Sequence, residues 1–259
     1  MKTIITLFFL TLVELIIAQN QNEQINYTDS KGLKQGYWSK KYQNGKTQYE
    51  GNFKDNYPIG IFRRYYESGK LKAELNYIDK NKCYAKLFYE NDKIAGEGNY
   101  INNKKDSIWQ YYSFYSGLLI AKENYKEGQK DGISEVYFEN GNISQKITWK
   151  NGKKEGPMTK YFDNGKIALE SNYINDVLEG MFITYFLNGY PEYVGYFKNG
   201  KKEGKWTVYD ESNKIISSIN YKNGIAENEK ELDEKFTKEF EENLRKAQSI
   251  VDPEKDAGF

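Results

Sequence analysis

The stretch that decides the fold runs from Gly156 to Lys202 and reads GPMTKYFDNGKIALESNYINDVLEGMFITYFLNGYPEYVGYFKNGKK. The same arrangement occurs twice within it: a glycine, an aromatic pair, an Asn-Gly step and a segment of alternating polarity. The second copy begins at Gly180, 24 residues after the first. Self-similarity at a fixed period of this length indicates a repeat architecture, in which each unit is one supersecondary element.

The period extends over most of the 259-residue chain. The first position of the successive units is held by Gly36, Gly60, Cys83, Ser107, Gly132, Gly156, Gly180 and Gly204, at intervals of 23 to 25 residues. A regular unit has nine residues to a turn position, eight more to an aromatic residue and seven to the next unit. The loop before Cys83 is one residue short, and the turn before Gly117 has one extra residue. The sequence therefore predicts eight units of about 24 residues.

Each unit is predicted to be a β-hairpin. Asn-Gly between two aromatic or β-branched runs favours a type I′ turn, because both central residues of that turn need a positive φ. The second segment of a unit alternates in polarity, as Leu169, Ser171 and Tyr173 do with Glu170 and Asn172. We therefore predict an all-β fold, an elongated and twisted antiparallel sheet of stacked hairpins with 16 strands.

The two ends of the chain differ from the repeats. Residues 1–18 combine Lys2 with a short apolar run and predict a signal peptide cleaved between Ala18 and Gln19, with an N-terminal membrane anchor as the alternative. Residues 19–30 form a polar leader, whose end at Ile25 to Tyr27 predicts one more strand. The repeats occupy residues 31–224, and residues 225–259 hold a helix and a tail.

The C-terminal helix is predicted to be amphipathic and to span about Glu227 to Ser249. Leu232, Phe236 and Phe240 recur every four residues among Glu and Lys. Such a helix either caps the last unpaired strand of the sheet or binds a partner or a second copy of the chain.

Composition excludes several classes of function. The chain has no histidine, the commonest general base and metal ligand, and its formal net charge of +1 gives no long-range attraction for nucleic acid. The single cysteine, Cys83, excludes an intrachain disulfide. We therefore predict no catalytic, cofactor or metal site, no nucleic-acid partner and no transmembrane segment in the mature chain.

The repeat pattern resembles MORN-type repeats, and more closely their bacterial variant with segments like YFENGKI and NYKNGKKEG. The clearest segments are Tyr137 to Gly141, Trp149 to Gly156, Tyr161 to Tyr173 and Phe197 to Trp206. The resemblance implies an elongated sheet of hairpins and a non-enzymatic binding role. Some members of the family act as antitoxins of toxin–antitoxin pairs, and eukaryotic relatives are linked to membrane lipids and protein scaffolds.

Aromatic residues are the strongest candidates for a binding surface, because exposed rings stack on glycans, lipids and peptides. The alternative is that the rings form the core of a thin sheet. The candidate residues are Trp38, Phe62, Tyr66, Trp109, Tyr111, Tyr112, Phe114, Tyr115, Phe182 and Trp206.

Three other sets of residues have a structural interpretation beside a functional one. Cys83 is either a reactive thiol or a substituted turn residue. The recurring glutamates, such as Glu50 and Glu170, are a paired-carboxylate site or a solvated strand face opposite Lys and Arg. The linker lysines, such as Lys153 and Lys154, contact phosphates or lie in solvated turns.

Two functions remain open from the sequence. The first is a secreted or periplasmic scaffold that binds an unidentified protein partner, with an antitoxin-like role as a special case. The alternative is binding of a cell-surface glycan or of lipid head groups through the aromatic rows. The irregular units around Cys83 and Ser107 are where a local function is predicted first.

Overall fold

The computed structural model describes residues 25–227 and 240–242. The predicted signal peptide, the first part of the leader and most of the predicted C-terminal helix lie outside these residues. The export that residues 1–18 indicate therefore stays a prediction. The chain divides into two compact units, residues 1–80 and residues 81–259, and both are built from hairpins.

The first unit is an antiparallel meander in which each strand pairs with the next along the chain. Its strands are β1 (Tyr27–Thr28), β2 (Lys34–Lys41), β3 (Thr47–Lys54), β4 (Tyr57–Tyr65) and β5 (Leu71–Tyr77). Strand β1 confirms the extra strand that the end of the leader predicts.

The second unit continues the same up-and-down order. Its strands are β6 (Lys82–Phe88), β7 (Ile94–Ile101), β8 (Lys104–Tyr112), β9 (Leu119–Lys126), β10 (Gln129–Lys130), β11 (Gly132–Tyr137), β12 (Ile143–Lys150), β13 (Lys153–Tyr161), β14 (Ile167–Ile174), β15 (Val177–Leu178), β16 (Gly180–Tyr185), β17 (Pro191–Lys198), β18 (Lys201–Tyr209), β19 (Ile215–Lys222) and β20 (Ile225–Ala226).

The all-β hairpin fold is confirmed, but the described residues hold 20 strands rather than 16. Sixteen of them are the two long strands of each predicted hairpin. The other four, β1, β10, β15 and β20, are two-residue pieces. Strands β10 and β15 arise because the first strand of a unit is interrupted just before its opening glycine, at Asp131 and Glu179.

The prediction of a type I′ turn at the Asn-Gly steps is wrong. At the first such step the N–H of Gly45 donates to the carbonyl of Tyr42 at 3.0 Å, and Gly45 has a φ of +83°. Asn44 does not have a positive φ, because its Oδ1 accepts the N–H of Lys46 at 3.0 Å. The result is a type I turn followed by a glycine bulge, a common three-residue hairpin connection.

Type I′ turns occur instead in the second connection of the units, except in the connection between β5 and β6, where no residue has a positive φ. Lys54 pairs with Tyr57 across a two-residue turn, in which Asp55 and Asn56 have φ values of +53° and +70°. The same geometry recurs, for example, at Asn151-Gly152, with φ values of +50° and +79°. Apart from the β5–β6 connection, the two kinds of connection thus have two different turn types, which lie at opposite ends of the strands.

Alternation along the strands gives each unit a covered face and an open face. In the first unit Phe62, Ala73 and Leu75 are buried on the covered face. In the second unit the covered face carries a continuous row of inward residues from β8 to β18, which are Trp109, Glu123, Ser134, Ile147, Met158, Ser171, Phe182, Gly195 and Trp206.

The C-terminal segment touches the covered face of the second unit. Phe240, Glu241 and Glu242 are helical, and Phe240 is 3% exposed. Its ring centroid lies 4.7 Å from that of Tyr193 on β17 and 5.6 Å from that of Trp206 on β18. At this residue the helix therefore packs on the face of the sheet, rather than along its last strand as a simple edge cap would.

Candidate functional site

The aromatic residues predicted as a binding surface fall into three groups by exposure. Phe62, Trp109, Tyr111, Phe182 and Trp206 are between 0% and 5% exposed. Trp38, Tyr66 and Tyr112 are half-buried. Phe114 and Tyr115 are 43% and 86% exposed. The five rings of the first group are therefore core, because a ring with so little exposed surface has no free face for a ligand.

Edge-to-face contacts hold these rings together. In the second unit the ring centroid of Phe197 lies 5.3 Å from that of Phe182 and 5.0 Å from that of Trp206, at interplanar angles of 77° and 85°. Lys202 Nζ lies 4.0 Å from the centroid of the Phe240 ring, a cation–π distance. Burial lowers the pKa of Lys202 to about 8, and Glu241 acts in the opposite direction.

The recurring glutamates lie on the open face as hydrogen-bond acceptors for tyrosine. Glu50 accepts the hydroxyls of Tyr37 and Tyr65 at 2.8 and 2.6 Å. Tyr112 donates to Glu97, and Tyr185 donates to Glu170, both at 2.6 Å. Tyr37 belongs to the same hairpin as Glu50, whereas Tyr65, Tyr112 and Tyr185 lie on the first strand of the next hairpin. Through these three hydroxyls the carboxylates join neighbouring repeats.

The pKa shifts of these groups fit a structural role. Burial, followed by the hydrogen bond to Glu50, raises the pKa of Tyr65 to about 12. The hydrogen bond from Tyr65 lowers the pKa of Glu50. Both shifts keep the carboxylate ionised and the phenol protonated at neutral pH. These contacts favour the structural interpretation of the glutamates over a paired-carboxylate site. The tyrosine partners were not predicted from the sequence, whereas a basic partner occurs at Glu74, which pairs with Arg63 at 2.9 Å.

One hairpin of the open face is apolar where the others are polar. Met181 pairs with Tyr196 and Ile183 pairs with Val194 across β16 and β17. Met181 is 53% and Tyr196 40% exposed, and the other two are half-buried. We call these four residues the apolar patch.

The corresponding pairs in the neighbouring hairpins are polar or mixed. Pro157 faces Asn172 and Thr159 faces Glu170 in the hairpin before the patch. Lys205 faces Asn220 and Thr207 faces Ser218 in the hairpin after it. Among the described hairpins, β16–β17 alone has apolar side chains at all four positions.

The sequence contains a signal for this patch, which is the position of an apolar residue directly before a residue of the aromatic row. Met181 directly precedes Phe182 in the sequence, and consecutive strand residues point to opposite faces. Phe182 is accordingly buried in the core, whereas Met181 is exposed.

A second exposed apolar group lies at the β8–β9 turn, which contains the predicted extra residue. The N–H of Gly117 donates to Ser113, one residue further back than in the other hairpin turns. Phe114 packs its edge against Tyr89 at 5.1 Å between ring centroids, and Tyr115 projects into solvent.

Comparison with known proteins identifies the repeats. The family model described as MORN repeat variant matches six segments, which are residues 34–55, 58–79, 84–102, 130–151, 154–175 and 202–223. The chain is a MORN-repeat protein. The β8–β9 and β16–β17 hairpins lie in the two stretches between matched MORN repeats, although both fold as hairpins. The apolar patch and the Phe114–Tyr115 turn are therefore the places where this chain departs from the MORN pattern.

Other comparisons add little to the MORN assignment. No curated protein matches the chain. Two solved structures of TarM have TM-scores of 0.21, one of them an S. aureus TarM mutant in complex with Fondaparinux, alpha-GlcNAc-glycerol and UDP. They are 12% and 13% identical, and the match covers 46% of this chain and 19% of each TarM chain. The chain thus matches about a fifth of their length, and the low TM-scores carry no argument about function.

MORN repeats mediate protein or membrane-lipid interactions and form a non-enzymatic family. Within residues 25–227 and 240–242, no group of three or more Cys, Asp and Glu side chains is arranged to hold a metal. Cys83 is 5% exposed on β6, and burial raises the pKa of its thiol, which disfavours the reactive thiolate. In the same described part of the chain, no helix has the length and apolar character needed to span a membrane.

Proposed function

We propose that this MORN-repeat protein is a non-enzymatic scaffold that binds a protein partner on the open face of its second unit. The apolar patch forms the centre of this interface. The observation that carries the proposal is the concentration of four apolar side chains on one hairpin, two of them about half exposed. Exposed apolar clusters with a polar rim are typical of protein–protein interfaces.

The surroundings of the patch favour a protein over a membrane. Towards β11 the open face carries charges of both signs, since Lys146 lies 3.4 Å from Glu135. Binding to anionic lipid is strengthened by clusters of Lys and Arg, whereas this face mixes both signs and the whole chain has a net charge of +1. Glycan binding is also disfavoured, because five of the ten candidate stacking rings are buried and three more are half-buried.

The proposal is tested by placing a photo-crosslinking amino acid at Met181 and, in a control protein, at Ile133. Ile133 occupies the same repeat position and is 52% exposed, but it faces Thr148 rather than a second apolar residue. We expect one protein adduct from Met181 in extracts of the native cells, and a much weaker one from Ile133.

The adduct is then confirmed with the purified partner and a Met181→Lys variant. Lysine is compatible with the fold at this position, since Lys205 occupies it in the next hairpin. Loss of a central apolar contact costs about 2 kcal/mol, so we expect affinity to fall at least about tenfold. Equal binding by Met181→Lys and the unchanged protein would exclude the patch, and binding to vesicles or glycans without a protein adduct would favour the alternative function.

The predicted signal peptide at residues 1–18, on which the predicted location depends, lies outside the described residues. The secreted or periplasmic location and the antitoxin-like role therefore stay predictions. An exported protein would meet the proposed partner in the cell envelope or outside the cell.

A further inference from the structure

A lysine is buried in the second unit without a partner. Lys160 lies on the covered face of β13 and is 8% exposed, and its Nζ makes no hydrogen bond. An unpaired ammonium group in the interior costs several kcal/mol. Burial, followed by repulsion from Lys154, lowers the pKa of Lys160 to about 8. Lys154 and Lys160 lie on the same strand, β13, and the Lys160 ammonium has no hydrogen-bond partner in the described chain.

Further hydrogen-bonding groups without partners lie on the two strands that pair with β13. The Oγ of Ser171 on β14 and the Nε1 of Trp149 on β12 are buried and make no hydrogen bond. Met158, two residues before Lys160, pairs with Ile147 on β12 and with Ser171 on β14. The unsatisfied groups therefore lie on adjacent strands. Ammonium and indole N–H groups can only donate, and the Ser171 hydroxyl is the one group of the three that can also accept, so the cluster lacks a negatively charged acceptor.

The preceding repeat contains the acceptor that this cluster lacks. There Lys130 Nζ lies 2.6 Å from Glu123 Oε1, and the Tyr125 hydroxyl donates to Glu123 at 2.6 Å. One repeat later, Lys154 corresponds to Lys130, whereas Ile147 stands in place of the glutamate. The basic residue is kept and the carboxylate is lost.

Two other differences distinguish the later repeat. Trp149 corresponds to Tyr125, and Lys160 corresponds to Val136, so a second ammonium is added. Met158 occupies the position of Trp109, Phe182 and Trp206 in other hairpins. A flexible methionine there, beside the small Ser171, leaves the covered face with less rigid filling than its neighbours have.

We propose that a small oxyanion of the phosphate or sulfate type binds on the covered face between β12, β13 and β14. The ammonium groups of Lys154 and Lys160 neutralise it, and the Ser171 hydroxyl and the Trp149 N–H donate hydrogen bonds. The bound anion takes the place that the Glu123 carboxylate has in the preceding repeat. The site is on the opposite face from the apolar patch and is independent of the proposed partner.

The test is thermal unfolding of the full chain at neutral pH in sodium phosphate, sodium sulfate and sodium chloride at equal ionic strength. The variants are Lys160→Met, which removes one ammonium with an apolar side chain of similar length, and Lys40→Met as the control. Lys40 occupies the same repeat position on β2 but is exposed. Isothermal titration with phosphate measures the binding directly.

We expect a saturable rise in Tm with phosphate or sulfate for the unchanged protein and for Lys40→Met, and no such rise for Lys160→Met. Ser171→Ala should weaken the phosphate affinity by about three- to tenfold, as the loss of one hydrogen bond to a charged group does. Identical rises in all proteins would show a general salt effect and overturn the proposal. No rise above chloride in the unchanged protein, or no heat of binding, would also overturn it.

Discussion

Side-chain volume is matched residue by residue across the covered face. A Cβ added to Gly195 would lie 2.1 Å from Cδ2 of Trp206, and one added to Gly51 would lie 2.4 Å from Cδ2 of Phe62. Where the larger ring is absent, the facing residue is larger, as in the pair Ile147 and Met158. These glycines are thus required by contact with a ring rather than by an unusual φ.

Gly195→Ala is expected to destabilise the protein by about 1–3 kcal/mol, because the added methyl group forces Trp206 out of its position. Urea unfolding followed by circular dichroism measures the change. The control is Ser171→Ala at the same repeat position, which adds no atoms and should change stability much less. If Gly195→Ala were as stable as the unchanged protein, the close approach of Trp206 to Gly195 would be wrong. Replacing the indole by a smaller side chain, in the double variant Gly195→Ala with Trp206→Leu, should restore part of the lost stability.

Two opening positions without glycine show how tolerant the repeat is. Ser107 has a φ of +61°, in the positive range of the opening glycines. Cys83 has no positive φ and pairs in regular register with Tyr100. The sequence marked both as irregular, but it did not reveal that Ser107 keeps the positive φ and Cys83 does not. That difference depends on how each strand meets its neighbour.

At the scale of elements, the turn asparagines connect one hairpin to the next. Asn188 Oδ1 accepts the N–H of Tyr190 at 2.9 Å, and its Nδ2 donates to the carbonyl of Glu211 in the following turn at 2.7 Å. Asn44, Asn91 and Asn140 make the same kind of bond to the next turn. Asparagine therefore recurs here for two local bonds, rather than for a type I′ conformation.

Asn188→Ala is expected to speed hydrogen exchange at residues 210–214, since the bond to Glu211 is lost. The predicted cost is about 1 kcal/mol for that bond, beyond the loss of the local one. Asn164→Ala is the matched control, because Asn164 makes the local bond to Lys166 at 3.0 Å and, in the part of the chain described, no bond to the next turn. Unchanged exchange at 210–214 in Asn188→Ala would contradict the link between hairpins.

At the scale of the whole molecule, each repeat buries its rings only together with its neighbours. In the second unit the C-terminal segment contributes to this burial through Phe240, which packs on Tyr193 and Trp206. Trp206 is 4% exposed although it lies on the third-last strand of the unit. The segment after the repeats is therefore part of the core at this end.

Phe240→Ala is expected to expose Trp206 and to shift tryptophan emission to longer wavelength. Truncation of a buried phenylalanine costs about 3–5 kcal/mol, so the contact of this segment with the sheet should be strongly weakened. The same substitution in a Trp206→Phe background is the control and should give little shift. Unchanged emission in Phe240→Ala would mean that Phe240 does not cover Trp206.

The sequence alone determined the hairpin repeat, its period, the extra strand at Tyr27 and the longer turn before Gly117. These features depend on local periodicity and turn residues, which are readable without a partner strand. Only the tertiary structure decided which rings are core, where each turn type lies and which hairpin carries an apolar open face. Those properties arise between strands: Met181 and Phe182 are neighbours in the chain, yet the pairing of β16 with β17 sends one to solvent and the other to the core. In the same way, the stretch from Gly156 to Lys202 contains both the buried Lys160 and the apolar patch. Its repeat pattern does not show that the lysine is buried or that the patch is exposed.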